Sequence, residues 1–392
     1  MKIVYLLPGG LYNPGGMERV IINKANYLAE KVGYDVFIVT TEQLGRPVFY
    51  PVSGKVHLHH LDIGIYVNFG KENYVQKVTS RFLKIREYRK ALEKLLRELS
   101  PDITVSSLGI DIDFLDKVKD GSIHIGELHF PGNYRLLMAY KMYSSRIPIL
   151  VEKIRTQLLK VKCRKLTRLV VLTKEEKTYW KKATNVEIIP NVLSYYPDSV
   201  SGCTSKKTIA VGRLVYEKGY DQLIESWRLV HKKHPEWSLS IYGQGDQKEP
   251  LIDRINQYQL NAVVEICEPV KDIYSRFLEQ SIMLFPSRCL DALPMVLIEA
   301  MSCGLPIVAF DAPCGPKDTI TDGKNGFLVS SGNIELFAEK ICELIESEET
   351  RRTMGRAARQ MSFDYQEDKI MNQWVRLFEE VTGNKGRIAS ET

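Results

Sequence analysis

Thr208-Ile-Ala-Val-Gly212-Arg213-Leu-Val-Tyr-Glu217-Lys218-Gly219-Tyr-Asp221 reads as a strand, a glycine-bearing loop and a helix start, and it is the second place in the chain where such a series opens. The first is Ile3 to Leu7, followed by Pro8-Gly9-Gly10-Leu-Tyr-Asn-Pro-Gly15-Gly16-Met-Glu18-Arg19 and a helical pattern from Glu18 to Lys31. Strand-length apolar runs then alternate with helical patterns through Val36 to Thr41, Pro101-Asp-Ile-Thr-Val and Leu169-Val-Val-Leu-Thr173. Such alternation belongs to βα units in a parallel sheet. After a loop with Ser, Pro and Gly between Ser194 and Cys203, the series restarts at Thr208 and continues at Trp237 to Tyr242, Ile282 to Phe285 and Ile307 to Phe310. With 392 residues, 44% of them apolar, the chain exceeds one core. The expected fold is α/β: two Rossmann-like, doubly wound domains facing across a cleft. Residues 1–193 form the first, 194–365 the second, and 366–392 a helix returning to the first domain, plus a polar tail. That helix, roughly Asp368 to Val381, lines up Met371, Trp374, Phe378 and Val381, a stripe that needs a partner surface.

The totals exclude several classes. A net charge of +6 suits anionic ligands but falls short of a nucleic-acid binder, and no DNA- or RNA-reading motif is present. Seven cysteines (163, 203, 267, 289, 303, 314 and 342) include no C-x-x-C pair and no ligand spacing with histidine, so a reduced compartment is expected. Met1-Lys-Ile-Val-Tyr-Leu-Leu reads as a strand rather than a leader, and no apolar stretch reaches spanning length. A cytoplasmic protein, at most held at the inner face of a membrane, is the expectation.

Chemistry concentrates in loops that follow strands, where a doubly wound sheet receives ligands. Ser287 to Pro306 places Asp291 in a loop, Pro294 at a helix start, Glu299 on the helix, and Gly304 and Pro306 at its stop. Free N–H groups at that start favour phosphate, and a carboxylate beside them accepts from sugar hydroxyls. A buried amphipathic helix carrying an incidental Glu299 reads the same way. The loop Gly9 to Gly16 lets backbone approach phosphate, but it is not G-x-G-x-x-G and no acid ends the second strand to grip a ribose, which counts against nicotinamide. A tight turn alone would explain its glycines. Arg213 and Lys218 put two cations in one loop, as a leaving diphosphate requires, although a solvated loop would carry such charges too.

Together the motifs Gly15-Gly16-Met-Glu-Arg-Val, Ile189-Pro190-Asn191, Gly212-Arg213 with Lys218-Gly219, Gly243-Gln-Gly245, and Ser287 through Pro306 resemble the family 4 retaining glycosyltransferases of the GT-B fold, over nearly the whole chain. The family pattern is Glu-Gly-Phe-Pro with a second Glu after seven residues; here Asp291-Ala292-Leu293-Pro294 precedes Glu299. Asp reaches less far by one methylene, and Ala narrows the backbone freedom of the loop. The resemblance implies a UDP-sugar donor and no metal. Glu299 would hold the ribose hydroxyls, Asp291 would touch the donor sugar, and Arg213 and Lys218 would bind the diphosphate. Backbone at Gly15, Gly16, Gly212, Gly243, Leu293, Met295 and Val296 would line the nucleotide sugar. Glu127-Leu128-His129 stands where relatives set a histidine against that sugar, which puts His129 in the catalytic set. Cys314-Gly315-Pro316-Lys317-Asp318 is similar to a pattern in bacterial galactosyl- and N-acetylgalactosaminyl-transferases of surface polysaccharides.

Two clusters invite metal readings. Asp111-Ile112-Asp113 spells D-x-D, yet a helix cap by Asp111 is the preferred reading. His57, His59 and His60 alternate as on a strand. From Pro131 to Arg168, ten basic residues meet one acid, Glu152, with aromatic and aliphatic residues between. That pattern fits an anionic bilayer or an acidic lipid-linked acceptor, and equally a helix with a solvated basic face. The expected activity is transfer of a hexose or N-acetylhexosamine from a UDP-sugar to a glycan or lipid-linked acceptor. A UDP-sugar epimerase of the same fold, a glycosyl phosphorylase and a binding protein without turnover are the alternatives.

Overall fold

The computed structural model describes residues 1–13, 15–65, 74–142, 146–182, 185–288, 292–313 and 315–383. It divides into two compact units: Met1–Val192 with the chain from Asp368 onward, and Leu193–Glu367.

The first unit runs β1 (Lys2–Leu7), α1 (Gly16–Tyr27), β2 (Asp35–Thr40), β3 (Val56–His60), α2 (Tyr74–Leu99), β4 (Ile103–Ser106), β5 (Ile123–Glu127), α3 (Tyr134–Met142), α4 (Arg146–Cys163), β6 (Arg168–Val171), α5 (Lys174–Trp180) and β7 (Val186–Ile188). The strands form one sheet in the order β3-β2-β1-β4-β5-β6-β7, every pair parallel. Successive side chains of a strand point to opposite faces, and β1 divides accordingly. Ile3, Tyr5 and Leu7 join a core with Ile21, Ile22 and Ala25 of α1, while Val4 and Leu6 join another with Tyr88, Leu92 and Leu96 of α2. Buried on both faces, the strand has no polar side to present, which is why it reads as a continuous apolar run.

The second unit runs β8 (Lys207–Val211), α6 (Tyr220–Lys233), β9 (Ser238–Tyr242), α7 (Lys248–Gln257), β10 (Val264–Cys267), α8 (Ile273–Leu278), β11 (Ile282–Phe285), α9 (Met295–Ser302), β12 (Ile307–Asp311), α10 (Pro316–Thr319), β13 (Gly326–Ser330), α11 (Ile334–Glu346) and α12 (Glu348–Ser362). Its six strands are parallel in the order β10-β9-β8-β11-β12-β13. In both sheets the order reverses beside the first strand, between β1 and β4 and between β8 and β11. These are the switch points at which such sheets leave a crevice beyond their strand ends.

The last helix, α13 (Glu367–Thr382), packs in the first unit, with Met371 and Phe378 wholly buried and Trp374 nearly so. Tyr27 donates to Asp368 at 2.9 Å, and Arg168 pairs with Glu380 at 2.6 Å. The apolar stripe therefore finds its partner in α1 and the β1 core. The three histidines lie on β3, where His60 Nδ1 is 2.7 Å from Thr40 Oγ1 and His57 faces Asp35 at 3.3 Å.

Candidate functional site

In the second unit, three loops converge at the carboxyl ends of neighbouring strands β9, β8 and β11. The loop after β8 makes a 3₁₀ turn at Tyr216–Lys218 that stops at Gly219, whose φ of +69° is a left-handed conformation. A Cβ at Gly219 would stand 2.1 Å from the Pro286 carbonyl oxygen, so this loop lies directly on the one after β11. Arg288 holds the two together. Its guanidinium forks onto Asp221 at 2.7 and 2.6 Å and donates to the Tyr216 carbonyl at 2.7 Å, while its backbone N–H donates to Glu217 at 2.9 Å. The Arg288 charge beside Asp221 and its hydrogen bond hold that carboxyl below its ordinary value against the opposing effect of burial. The loop after β9 closes on the same point: Leu214 N–H donates to Gln244 at 2.8 Å, and a Cβ on Gly243 would lie 2.0 Å from the Gly212 carbonyl oxygen.

This packing brings Gly212, Lys218, Gly243 and the segment leading to Glu299 to one sheet end. Lys218 is half-buried with its ammonium 5.7 Å from the Phe285 ring centre; Arg213 is exposed. Helix α9 begins after Pro294, which sits at the cap rather than inside the first turn, and Met295 and Val296 are partly exposed there. Leu293 and Glu299 are buried, at 5% exposure each. Gly304, at φ +75°, follows the helix end. Asp291 lies outside the described residues, as do Cys289 and Cys314.

The clamp between Asp221 and Arg288 is one feature that sequence reading missed. Its only sequence signal is an acid in the first turn of a helix after a cationic loop. Arg288→Gln removes the fork and should reduce stability by about 1–2 kcal/mol, since the pair is only partly shielded. Thermal stabilisation by a nucleoside diphosphate should fall with it if the two loops act as one anion-binding surface; an unchanged ligand response would separate clamp from site.

The first unit gathers its own group at the carboxyl end of its sheet. Gly15 caps α1, and the glycine loop before it is braced by the loop after β2: Gly9 accepts from Thr41 and Glu42 N–H groups, both at 3.0 Å, and Gln43 accepts from Leu11 at 2.8 Å. Gly16, the first residue of α1, is exposed. Two turns further on, Lys24 is buried at 1% and forms an ion pair with Glu127, the last residue of β5. Its ammonium also lies 4.2 Å from the Trp374 ring centre and 5.3 Å from that of Tyr5, so a cation in the core is met by a carboxylate and two aromatic faces. His129 Nε2 is 3.5 Å from the same Glu127 oxygen. Burial pushes the His129 imidazole down to about 4, with the Glu127 charge opposing, so the ring is neutral at neutral pH. Burial likewise lowers Lys24 and raises Tyr5. Lys24 carries a sequence signal that reading passed over: a lysine on the buried side of α1, among Val20, Ile21 and Ala25, requires an acid partner.

The expectation for Asp111 needs correcting. It does not cap a helix: the 3₁₀ turn Ile110–Asp113 has Gly109 at its cap, with no side-chain cap bond. Asp111 is instead buried and accepts from Ser106 Oγ, whereas Asp113 points to Lys162 at 2.6 Å. The two carboxylates thus diverge. Among the described residues, no group of three or more His, Cys, Asp or Glu side chains is placed to hold a metal ion.

Asp111 and His129 set opposing pH dependences. Burial raises the Asp111 carboxyl to about 6 from 3.8, so folding binds its proton more tightly and its contribution is present below about pH 4 and lost as pH rises through 6. His129, lowered from 6.5 to about 4, contributes above 6.5 and loses that contribution as pH falls through 4. Over the shared window the slopes oppose, each amounting to roughly 3 kcal/mol at full extent. Asp111→Asn should therefore make the chain more acid-sensitive in urea melts between pH 6 and 4 than the parent, and His129→Gln less so. Identical pH profiles for all three would overturn the assignment.

A family model described as glycosyl transferases group 1 matches residues 198–361. The chain is 30% identical over 385 residues to the amylovoran biosynthesis glycosyltransferase AmsD of Erwinia amylovora, spanning 95% of this chain and 99% of that one. Among solved structures, a TarM mutant of S. aureus in complex with Fondaparinux, alpha-GlcNAc-glycerol and UDP superposes with a TM-score of 0.77 at 17% identity, over 96% of this chain and 99% of that one. Anabaena HepE in complex with UDP-glucose gives 0.71 at 16% identity, over 97% and 100%. At such identities the likeness speaks for the fold alone, that of the GT-B class.

Proposed function

We propose that this chain, which belongs to the group 1 glycosyl transferases, moves a hexose or N-acetylhexosamine from a UDP-sugar to a glycan or lipid-linked acceptor in the synthesis of a surface polysaccharide. The observation that carries this reading is the interlocked loop cluster of the second unit, in which Gly212, Lys218, Gly243 and the start of α9 share one sheet end. Close backbone, a cation and a helix start make a surface for a diphosphate. Glu299 then takes the ribose hydroxyls, Arg213 and Lys218 neutralise the departing UDP, and Asp291 meets the donor sugar. In the first unit, Gly15 and Gly16 offer backbone to phosphate or sugar oxygens. His129, kept neutral by burial, contributes a hydrogen bond rather than a charge. The named role of AmsD in amylovoran biosynthesis supports the polysaccharide context, and UDP in the TarM and HepE complexes supports the uridine donor.

The mechanism in this proposal is that of the family 4 retaining enzymes. The cations of the loop after β8 take the charge that develops on the diphosphate, so the reaction proceeds without a metal. The acceptor hydroxyl attacks the face that UDP leaves: its oxygen bonds to the anomeric carbon as the bond from that carbon to the diphosphate breaks, the departing phosphate oxygen takes the hydroxyl proton, and the sugar keeps its anomeric configuration. The test is a thermal-shift screen of UDP-sugars on the intact chain, followed by UDP release with and without acceptor glycan. A donor at a hundred times its Kd should stabilise by about 2.7 kcal/mol. UDP release should require acceptor, persist in EDTA and yield an anomer matching the donor by NMR. An isomerised UDP-sugar without acceptor would instead establish the epimerase reading, and binding without turnover would leave a sugar-nucleotide binder.

A further inference from the structure

The basic stretch of the first unit folds into two helices, and the second presents a face that sequence reading had not isolated. Helix α4 spans 18 residues, about 27 Å at 1.5 Å per residue. Ile147, Leu150, Val151, Ile154, Leu158 and Val161 stand at i, i+3, i+4, i+7, i+11 and i+14 and so share one side. All six are exposed, at 41% to 73%. The opposite side, at Thr156 and Cys163, is the one buried in the unit. This helix therefore turns its apolar stripe outward, the reverse of what a surface helix of a folded unit does.

We propose that this face of α4 lies on an anionic lipid bilayer, with the helix in the plane of the interface. The charges beside the stripe select that occupant. Arg155 and Lys162 fall along one edge of it, and Arg146 and Lys153 along the other, at the level where lipid headgroups would sit. Glu152 is the only acid on the helix, and it is paired with Arg155. A second copy of the chain on the same stripe would bring basic edges against basic edges, whereas anionic headgroups complement them. The helix cannot span: among the described residues no helix is long and apolar enough to cross a membrane. Two findings refine the sequence expectation. Asp113 and Asp116 reach Lys162 and Lys165 from elsewhere in the unit, so the basic excess is smaller than the stretch itself shows. Lys160 is stacked 3.6 Å from the Tyr179 ring centre and takes no part in the edges. This surface does not rest on the catalytic reading.

Flotation of the intact chain with phosphatidylcholine vesicles, with and without phosphatidylglycerol, tests it. The parent should float with the phosphatidylglycerol vesicles and release at high salt, with each edge cation contributing roughly five-fold. Leu150→Ser, Ile154→Ser and Leu158→Ser together should weaken binding on the order of a hundred-fold. These side chains are exposed, so the melting temperature and the UDP-sugar thermal shift should not change. Lys153→Gln with Arg155→Gln should reduce the preference for phosphatidylglycerol by about 25-fold, leaving the share of Arg146 and Lys162. The proposal fails if the parent ignores these vesicles, if the triple variant floats like the parent, or if analytical ultracentrifugation shows a parent dimer that the triple variant dissolves, which would make the stripe a self-contact.

Discussion

Glu127→Ala should destabilise the first unit by about 3–5 kcal/mol, because it strands a buried ammonium without its counter-charge. Lys24 has no route to water: it is 1% exposed and enclosed by Tyr5, Trp374 and Glu127. Its burial already lowers its affinity for a proton, and losing the carboxylate would lower it further. Lys24→Ala should cost a similar amount from the other side, leaving Glu127 alone in the core. The double change Lys24→Met with Glu127→Leu should recover most of the loss, since apolar replacements of similar volume leave no uncompensated charge. Urea denaturation of the intact chain, followed by near-ultraviolet signals from Trp374 and Trp180, checks all three. A loss below about 1 kcal/mol for Glu127→Ala would be that of an exposed pair and would contradict the burial. The pair also links α1, which the glycine loop opens, to the residue two before His129. The double variant therefore shows whether the ion pair serves stability alone: with stability restored, any remaining loss of transfer measures its hold on His129.

Glu299→Gln should weaken UDP binding on the order of a hundred-fold or more, the larger effect expected on ligand binding. If Glu299 accepts from both ribose hydroxyls, two charge-assisted hydrogen bonds are at stake, about 1.5–3 kcal/mol each. Gln keeps the volume of a side chain that is 5% exposed, so the fold tolerates it better than Ala. Calorimetric titration with UDP reads the effect. The complementary experiment changes the ligand: a UDP analogue without ribose hydroxyls should bind the parent as weakly as UDP binds the variant, and the variant should not distinguish the two. UDP affinity within two-fold of the parent in Glu299→Gln would remove Glu299 from the site and leave it as a core carboxylate.

How much of this was legible depends on the range of each interaction. The strands and helices were readable because hydrophobic period is local: Ile3 to Leu7 is apolar at every position since both of its faces are covered, and Met371, Trp374 and Phe378 share a stripe through helical geometry alone. The loops carrying Gly15, Gly212 and Gly243 were likewise placed by strand ends that precede them. Asp111 was misread because its partner, Ser106, accommodates the carboxylate within a buried turn, an arrangement indistinguishable in sequence from a capping aspartate. The charge of the 131–168 stretch was overcounted because Asp113 and Asp116 come from another segment.

The sequence by itself determined two parallel α/β units, the position of their glycine and cationic loops after strands, and an amphipathic last helix seeking a surface. Those properties follow from residue spacing, which a chain carries before it folds. The tertiary structure alone decided which residues became partners: Lys24 with Glu127 across 103 positions, Arg288 with Asp221 across 67, and α13 with α1 across the length of the chain. It also decided which face of α4 stays outside. Such pairings depend on strand order and helix docking, and a residue pattern that fits many neighbours acquires one only when the backbone brings it there.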